Sequence, residues 1–455
     1  MAANCGTDGS MAATFDGSRP RVVILGGGFA GLSAARRLRW APVRVTVVDR
    51  QNHHLFQPLL YQVATGGLDP SEIARPIRRI LRRQENAEVL LAEATAIDLG
   101  RRVIELSDGS LEYDYLILGT GAAHSYFGHD EWARFAPGLK TLDDALEIRR
   151  RVLLAFERAE RELDPEEQER WMTFAVIGGG PTGVELAGTL AEIVQRTLAR
   201  DFRHIHPECA RVILIEALPR VLPPFPEKLS EKARQQLVKL GVEVRTNAMV
   251  SAIDAEGVVA GGQRIAARTV LWGAGVAASP LARTLETQLD KAGRVEVASD
   301  LSVPGHPEVM VVGDLAHVKR DGGLVPGVAQ AAIQEGKHAA LNILASLRDA
   351  GRAPFRYRDR GTLATIGRKA AVGQIGRVQL SGQVAWLAWL AVHLVYLVGF
   401  RNRLLVLLDW AYSYFTYERG ARLITGVSRR SPAAGLMRQA SLSSDFLQER
   451  EGAPT

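Results

Sequence analysis

The chain has 455 residues, 47% of them hydrophobic, with 56 Lys and Arg against 50 Asp and Glu, a length that allows two or three buried cores. The formal charge of +6 is spread along the chain with acids interleaved, which argues against a nucleic-acid footprint and leaves an anionic membrane surface open. Two cysteines, Cys5 and Cys209, form no CxxC or CxxxxC pair, and this removes disulfide-reducing and sulfur-holding redox chemistry.

Residues 1–20 are small and polar, with no apolar stretch and a single Arg, and read as a disordered tail rather than a signal or transit peptide. VVILGGGFAGL (Val22–Leu32) then places an apolar strand before a glycine turn and a helical pattern after it. Gly26 allows the tight turn, Gly28 lets the backbone approach a pyrophosphate, and Gly31 lets the helix pack on the strand. The strand Arg44–Val48 ends at Asp49, 23 residues after Gly26, where a carboxylate is placed to take a ribose diol. His53 and His54 are sequence neighbours that converge poorly on one ion, so packing or hydrogen bonding is expected of them and no metal site is expected. Arg75–Arg83 carries five Arg around Ile77, Ile80 and Leu81 in a helical pattern, suited to anionic headgroups or to plain solvation. Tyr115–Gly121 is a buried-strand run that stops at Thr120 and Gly121, small residues where a backbone passes close to a cofactor.

The glycine pattern then recurs. FAVIGGGPTGVEL (Phe174–Leu186) repeats the spacing with Gly178, Gly180 and Gly183, and Thr182 lies within the turn. The next strand, Arg211–Ile215, ends at Glu216, a gap of 38 residues that fits an extended helix and loop over 184–210. Glu216 would accept hydrogen bonds from a ribose diol and repel a 2′-phosphate, which favours NADH over NADPH, with Arg220 able to soften the preference. Thr269–Gly275, with Gly273 and Gly275, echoes the earlier stop at Gly121, so the repeat extends past the glycine turns. Pro307–Asp314 is a further strand ending in Gly-Asp, and Asp314 can take the hydroxyls of a sugar-alcohol chain. Val325-Pro326-Gly327 starts a helix bearing Ala329–Gln334, in which Gln330 and Gln334, four apart, share a face.

Near the C-terminus, Val384–Phe400 is a 17-residue run with only His393 ionisable, and the residues to Ile424 add Trp410, Tyr412, Tyr414 and Tyr417 with Arg419 and Arg422. Seventeen residues is short for a span, usually about 20, so two helices lying in the membrane interface are expected, with a dimerising or domain-covering pair as the alternative.

Asn52–Gly66 (NHHLFQPLLYQVATG), taken with the AQAAIQ run at Ala329–Gln334, resembles the type II, non-proton-pumping NADH:quinone oxidoreductases of bacterial membranes over roughly residues 21–424. The resemblance implies an α/β chain with two Rossmann-like dinucleotide-binding domains, the second inserted in the first, and a C-terminal membrane-associating helical region. The implied limits are a disordered tail 1–20, an FAD-binding domain from 21–125 and 300–350, an NADH-binding domain 126–299, an anchoring region 351–426 and a polar tail 427–455. One FAD per chain is implied, held by Gly26, Gly28, Gly31, Asp49, Gln62, Thr120, Gly121, Asp314, Gln330 and Ala331. NADH enters as substrate on Gly178, Gly180, Thr182, Gly183, Glu185, Glu216, Gly273 and Gly275.

For catalysis the resemblance points to Glu185, Gln330, Gln334 and Lys369. Glu185 would orient the carboxamide or relay a proton, or it is simply a first-turn acid favoured by the helix dipole, worth about 0.3–1 kcal/mol. The two glutamines offer amides to a quinone without a charge to desolvate, or they are surface residues of an amphipathic helix. Lys369 would lower the energy of a forming quinolate, or it is a solvated strand-end lysine. The implied partners are NADH, menaquinone or ubiquinone, a bilayer surface through 384–424, and a second copy in a homodimer. The implied location is peripheral, on the cytoplasmic face of the cell membrane, and with no ionisable path across a bilayer no proton pumping follows. The alternatives are a membrane-tethered nucleotide sensor or a sulfide- or ferredoxin-linked reductase.

Overall fold

A computed structural model describes residues 19–199, 201–320, 322–398, 400–416 and 421–425; the polar tail 427–455, nearly all of the tail 1–20, Cys5, Tyr417 and Arg419 lie outside the described residues. Contacts divide the chain into two compact units, one of residues 1–54, 76–122 and 278–358, the other of 55–75, 123–277 and 359–455.

The first unit is built on a six-stranded sheet in the order Ser302–Val303, His306–Val311, Tyr115–Leu118, Arg21–Leu25, Arg44–Asp49, Ala87–Leu91. Every neighbouring pair is parallel except the first. Val22, Val23, Ile24, Val45 and Val47 are fully buried, the near-continuous apolar runs of a sheet covered on both faces. Helices Phe29–Arg37 and Ala329–Ser346 pack against each other beside it. The second unit repeats the plan with a parallel sheet in the order Val242–Arg245, Arg211–Ile215, Thr173–Ile177, Thr269–Trp272. In each sheet the strand before the glycine turn lies between the strand that ends in the acid and the strand that ends in small residues. The long gap before Glu216 is taken up by the helix Pro181–Glu192, a π-helical turn Ile193–Thr197 and a 3-10 turn Pro207–Cys209.

An antiparallel sheet of Thr362–Gly367, Ala370–Ile375 and Val378–Ser381 packs on that helix, and the chain continues into helices Gln383–Tyr396 and Phe400–Thr416. Among the described residues no helix is long and apolar enough to cross a membrane.

The structure and the expected limits differ in three places. Residues 55–75 cluster with the second unit because helix Leu60–Ala64 packs on helices Leu142–Ala159 and Pro181–Glu192. Residues 278–299 cluster with the first, where Ile97 N–H donates to Thr284 Oγ1 at 3.2 Å. The basic helix is only Ile77–Leu81: Pro76 forces Arg75 to stay extended, and Ala74–Pro76 is a short strand.

Candidate functional site

In the first unit the turn after Arg21–Leu25 follows from its glycines. Gly26 has φ +102°, and a Cβ at Gly31 would sit 1.8 Å from Gly26 O, so neither tolerates a side chain. Gly28 caps the helix Phe29–Arg37 without a side-chain bond, and a Cβ there would meet nothing within 4 Å, which leaves first-turn N–H groups facing open space. Asp49 Oδ2 accepts from Gly27 N at 2.6 Å and its Oδ1 from Gln51 N at 2.7 Å. The carboxylate therefore braces the turn as well as offering lone pairs to a ribose.

His54, which the sequence marked only for packing or hydrogen bonding, is buried, with Nδ1 3.0 Å from Gly27 O and its ring edge-on to Phe29 at 5.0 Å. A carbonyl only accepts, so Nδ1 carries the proton. Burial, with smaller contributions from Arg36 and His53, pushes the imidazole down to about 4 against the Gly27 contact, so the ring is neutral at physiological pH.

Thr120 Oγ1 is buried with no hydrogen-bond partner among the described residues, and Asp314 follows Gly313 at the end of its strand. The uncapped turn, the unpartnered hydroxyl and the carboxylate are the donor and acceptor set a flavin dinucleotide needs. Glu335 escaped the sequence reading: it is 2% exposed, accepts from Gly313 N at 2.5 Å, and is pushed up to about 7 by burial, with the Asp314 charge adding and the Gly313 bond opposing. The available signal was an acid interrupting an apolar helix face. Gln330 and buried Ala331 lie in the first turn of Ala329–Ser346. Gln334 is turned to backbone: its Nε2 donates to Arg358 O and its Oε1 accepts from Arg358 N, both at 3.0 Å. Its amide is spent on backbone, which no local pattern reveals.

The second unit repeats the turn. Gly178 has φ +104°, a Cβ at Gly183 would lie 1.8 Å from Gly178 O, and Gly180 caps Pro181–Glu192 with no side-chain bond and open space around it. Glu216 Oε2 accepts from Gly179 N at 2.5 Å and Oε1 from Leu218 N at 2.8 Å. Gly273 and Gly275 follow the strand Thr269–Trp272, Gly273 against Gly178 and Gly183 of this turn and Gly275 against Ser125 and Phe127. Thr182 and Glu185 line a cavity of about 90 Å³ with Gln57, Leu60, Tyr61, Leu139 and Lys140. Enclosure of the Glu185 carboxyl pushes it up to about 8, against a hydrogen bond from the Thr365 backbone, so it holds a proton at neutral pH.

Lys369 is not brought to Glu185. It has φ +60° at the exposed tip of the hairpin joining Thr362–Gly367 to Ala370–Ile375. The neighbouring Arg368 N–H donates to Glu192, seven residues and about 10 Å along the helix from Glu185. Gln62 is likewise committed within its own unit: Nε2 donates to Tyr61 Oη and Oε1 accepts from Trp410 Nε1, each at 2.8 Å.

That last bond ties the helix Phe400–Thr416 to residues 60–72, as do the bonds from Asn402 Nδ2 to Ser71 O at 3.1 Å and Glu72 O at 2.7 Å. Inside, Trp389 is 1% exposed and stacks on His393 at 4.2 Å, and burial pushes His393 down to about 4, which keeps the apolar run uncharged. Outside, Val384, Leu387, Val395, Leu404, Leu407, Leu408 and Tyr412 are exposed.

Comparison with known proteins bears on the chain as a whole. Residues 20–336 match the pyridine nucleotide-disulphide oxidoreductase family, and residues 360–417 match the NDH2 C-terminal domain. The chain is 49% identical over 423 residues to the type II NADH:quinone oxidoreductase Ndh of Mycobacterium tuberculosis, and 50% identical over 427 residues to NdhA of the same organism, with 90% of each chain covered in both cases. The solved NDH2 of Plasmodium falciparum in complex with NADH shares the fold at a TM-score of 0.82 and 20% identity, covering 90% of this chain and all of that one.

Proposed function

Since the chain belongs to the type II NADH:quinone oxidoreductases, a flavin-using family that takes NADH and quinone as substrates, we propose that it binds one FAD on the first glycine turn and NADH on the second, and reduces a quinone drawn from the bilayer. The observation that carries this is the recurrence, in two separate sheets, of an uncapped helix start whose second glycine is braced by the acid ending the next strand. Bound flavin supplies the two-electron relay between nicotinamide and quinone.

The chain's own residues set the conditions. Gly28 and Gly180 leave room and N–H donors for two pyrophosphates, and Glu216 favours a ribose diol over a 2′-phosphate. Thr120 would offer the flavin a hydroxyl, and Asp314 a carboxylate for its sugar-alcohol hydroxyls. Glu185, protonated at neutral pH, donates a hydrogen bond to the carboxamide or passes its proton on. Gln330, on the first turn of its helix, offers a neutral amide to a quinone oxygen, whereas Gln334 holds the chain at Arg358. The exposed apolar row on 384–412 rests in the cytoplasmic face of the membrane, as a peripheral contact.

The test is NADH oxidation by the full-length enzyme in liposomes loaded with menaquinone or ubiquinone, with a trapped pH dye. Quinone-dependent oxidation without vesicle acidification is expected. NADH oxidation that no quinone accelerates would overturn the reading.

A further inference from the structure

The two glycine turns share a second brace that differs in kind. In the second, Gly179 N donates to Glu216 while Gly179 O accepts from the Leu222 backbone N–H at 2.6 Å. In the first, Gly27 N donates to Asp49, and the carbonyl is held by a side chain, His54 Nδ1 at 3.0 Å. A trans peptide holds its C=O and the following N–H in one plane, pointing in opposite directions. Holding the carbonyl of Gly27 therefore aims the N–H of Gly28 to the other side, into the open space in front of the helix Phe29–Arg37. The same relation runs from Gly179 O to the N–H of Gly180.

We propose that His54 is a positioning residue for the flavin: its Nδ1–H locks the Gly27–Gly28 peptide so that the Gly28 N–H is preset toward the cofactor's pyrophosphate. The inference rests on the assignment of FAD to the first turn. Two features fit the role. His54 is 3% exposed and its ring is fixed edge-on to Phe29, the first helical residue, so the imidazole is not free to swing away from the carbonyl. Beside the same glycine, Ile77 Cδ1 would lie 2.3 Å from a Cβ, so the peptide is confined from a third direction. The second turn reaches an equivalent lock with a backbone amide, which every residue but proline supplies; the first depends on a side chain with a donor at the δ position. Preset donors lower the ordering cost of binding, so the lock is felt as cofactor affinity.

The test compares His54→Asn, whose amide nitrogen stands at the δ position and keeps the donor, with His54→Leu, which has the same branching and no donor. FAD dissociation from the full-length enzyme is followed by the rise in flavin fluorescence on dilution, and NADH affinity is measured on the same samples. Leaving a buried carbonyl unpaired predicts FAD binding weakened by about tenfold or more in His54→Leu. His54→Asn should stay within about threefold of wild type, with NADH affinity unchanged in both. Equal FAD affinity for wild type and His54→Leu would overturn the proposal, as would an Asn variant as weak as the Leu variant, or a loss shared equally by FAD and NADH. If His54→Leu does not fold, the Asn variant decides alone, since weakened FAD binding there contradicts a donor role. A wild-type chain that retains no FAD would instead overturn the cofactor assignment itself.

Discussion

The two glycine turns have the same skeleton and different braces. Each is shut by a glycine whose Cβ, were there one, would lie 1.8 Å from a carbonyl oxygen, each leaves its helix start uncapped, and each ties its second glycine to the acid at the end of the next strand. The first then adds side chains from distant parts of its unit, His54 on the turn and Glu335 behind Gly313, whereas the second relies on backbone at Leu222 and on an enclosed carboxyl at Glu185. The difference suits the tasks proposed for them: a cofactor that stays benefits from a fully preset cradle, and a substrate that must leave needs affinity only during turnover.

The comparison breaks most visibly at the shutting glycines. Gly31→Val should remove bound flavin, at a cost above about 4 kcal/mol, read from the ratio of flavin to protein absorbance. Gly183→Val should keep the flavin and lose its bleaching by NADH. Loss of both functions in either variant would mean the two turns do not serve separate nucleotides.

A smaller effect comes from the acids. Removing the charge-assisted bond in Asp49→Ala should weaken FAD by about 1.5–3 kcal/mol, and Glu216→Ala should weaken NADH by a similar amount while narrowing its advantage over NADPH. Titration of each nucleotide against both variants checks that the losses do not cross over.

Glu185 sharpens the second turn through pH. Its folded-state value is raised from 4.5 to about 8, so the folded chain holds a proton that the unfolded chain has released, and wild type loses stability as pH rises through that window. Glu185→Gln should therefore gain about 1–3 kcal/mol on wild type between those limits and be level with it below pH 4.5, measured by denaturant midpoints. A pH-independent difference would place the carboxyl in solvent. The smallest change is expected at Gln334→Ala, about 1 kcal/mol of stability from the lost Arg358 bonds, with quinone KM within about twofold of wild type.

These features were unequally legible. The turns, their acids Asp49 and Glu216, and the doubled sheet could be read directly, because glycine spacing and buried strands are local patterns. His54 and Glu335 act on glycines 27 and 22 residues away, so their partners depend on how the strands stack and not on neighbouring residues. Gln334 shared a face with Gln330, as helical spacing required, but spacing does not say which partner takes an amide first, and Arg358 took both ends. The place of Lys369 was illegible for a similar reason: hairpin register puts Thr365 at Glu185 and the loop tip at Glu192. The unit boundaries follow contacts of residues 55–75 and 278–299 that no change of composition marks.

The most direct test of electron flow from the second turn to the first and on to the membrane is anaerobic stopped-flow absorbance of the FAD-loaded enzyme in liposomes, mixed with NADH and then with a quinone analogue. The account predicts loss of the flavin band with NADH and its return with quinone at a rate no slower than steady-state turnover. A flavin that NADH bleaches and no quinone restores would contradict it.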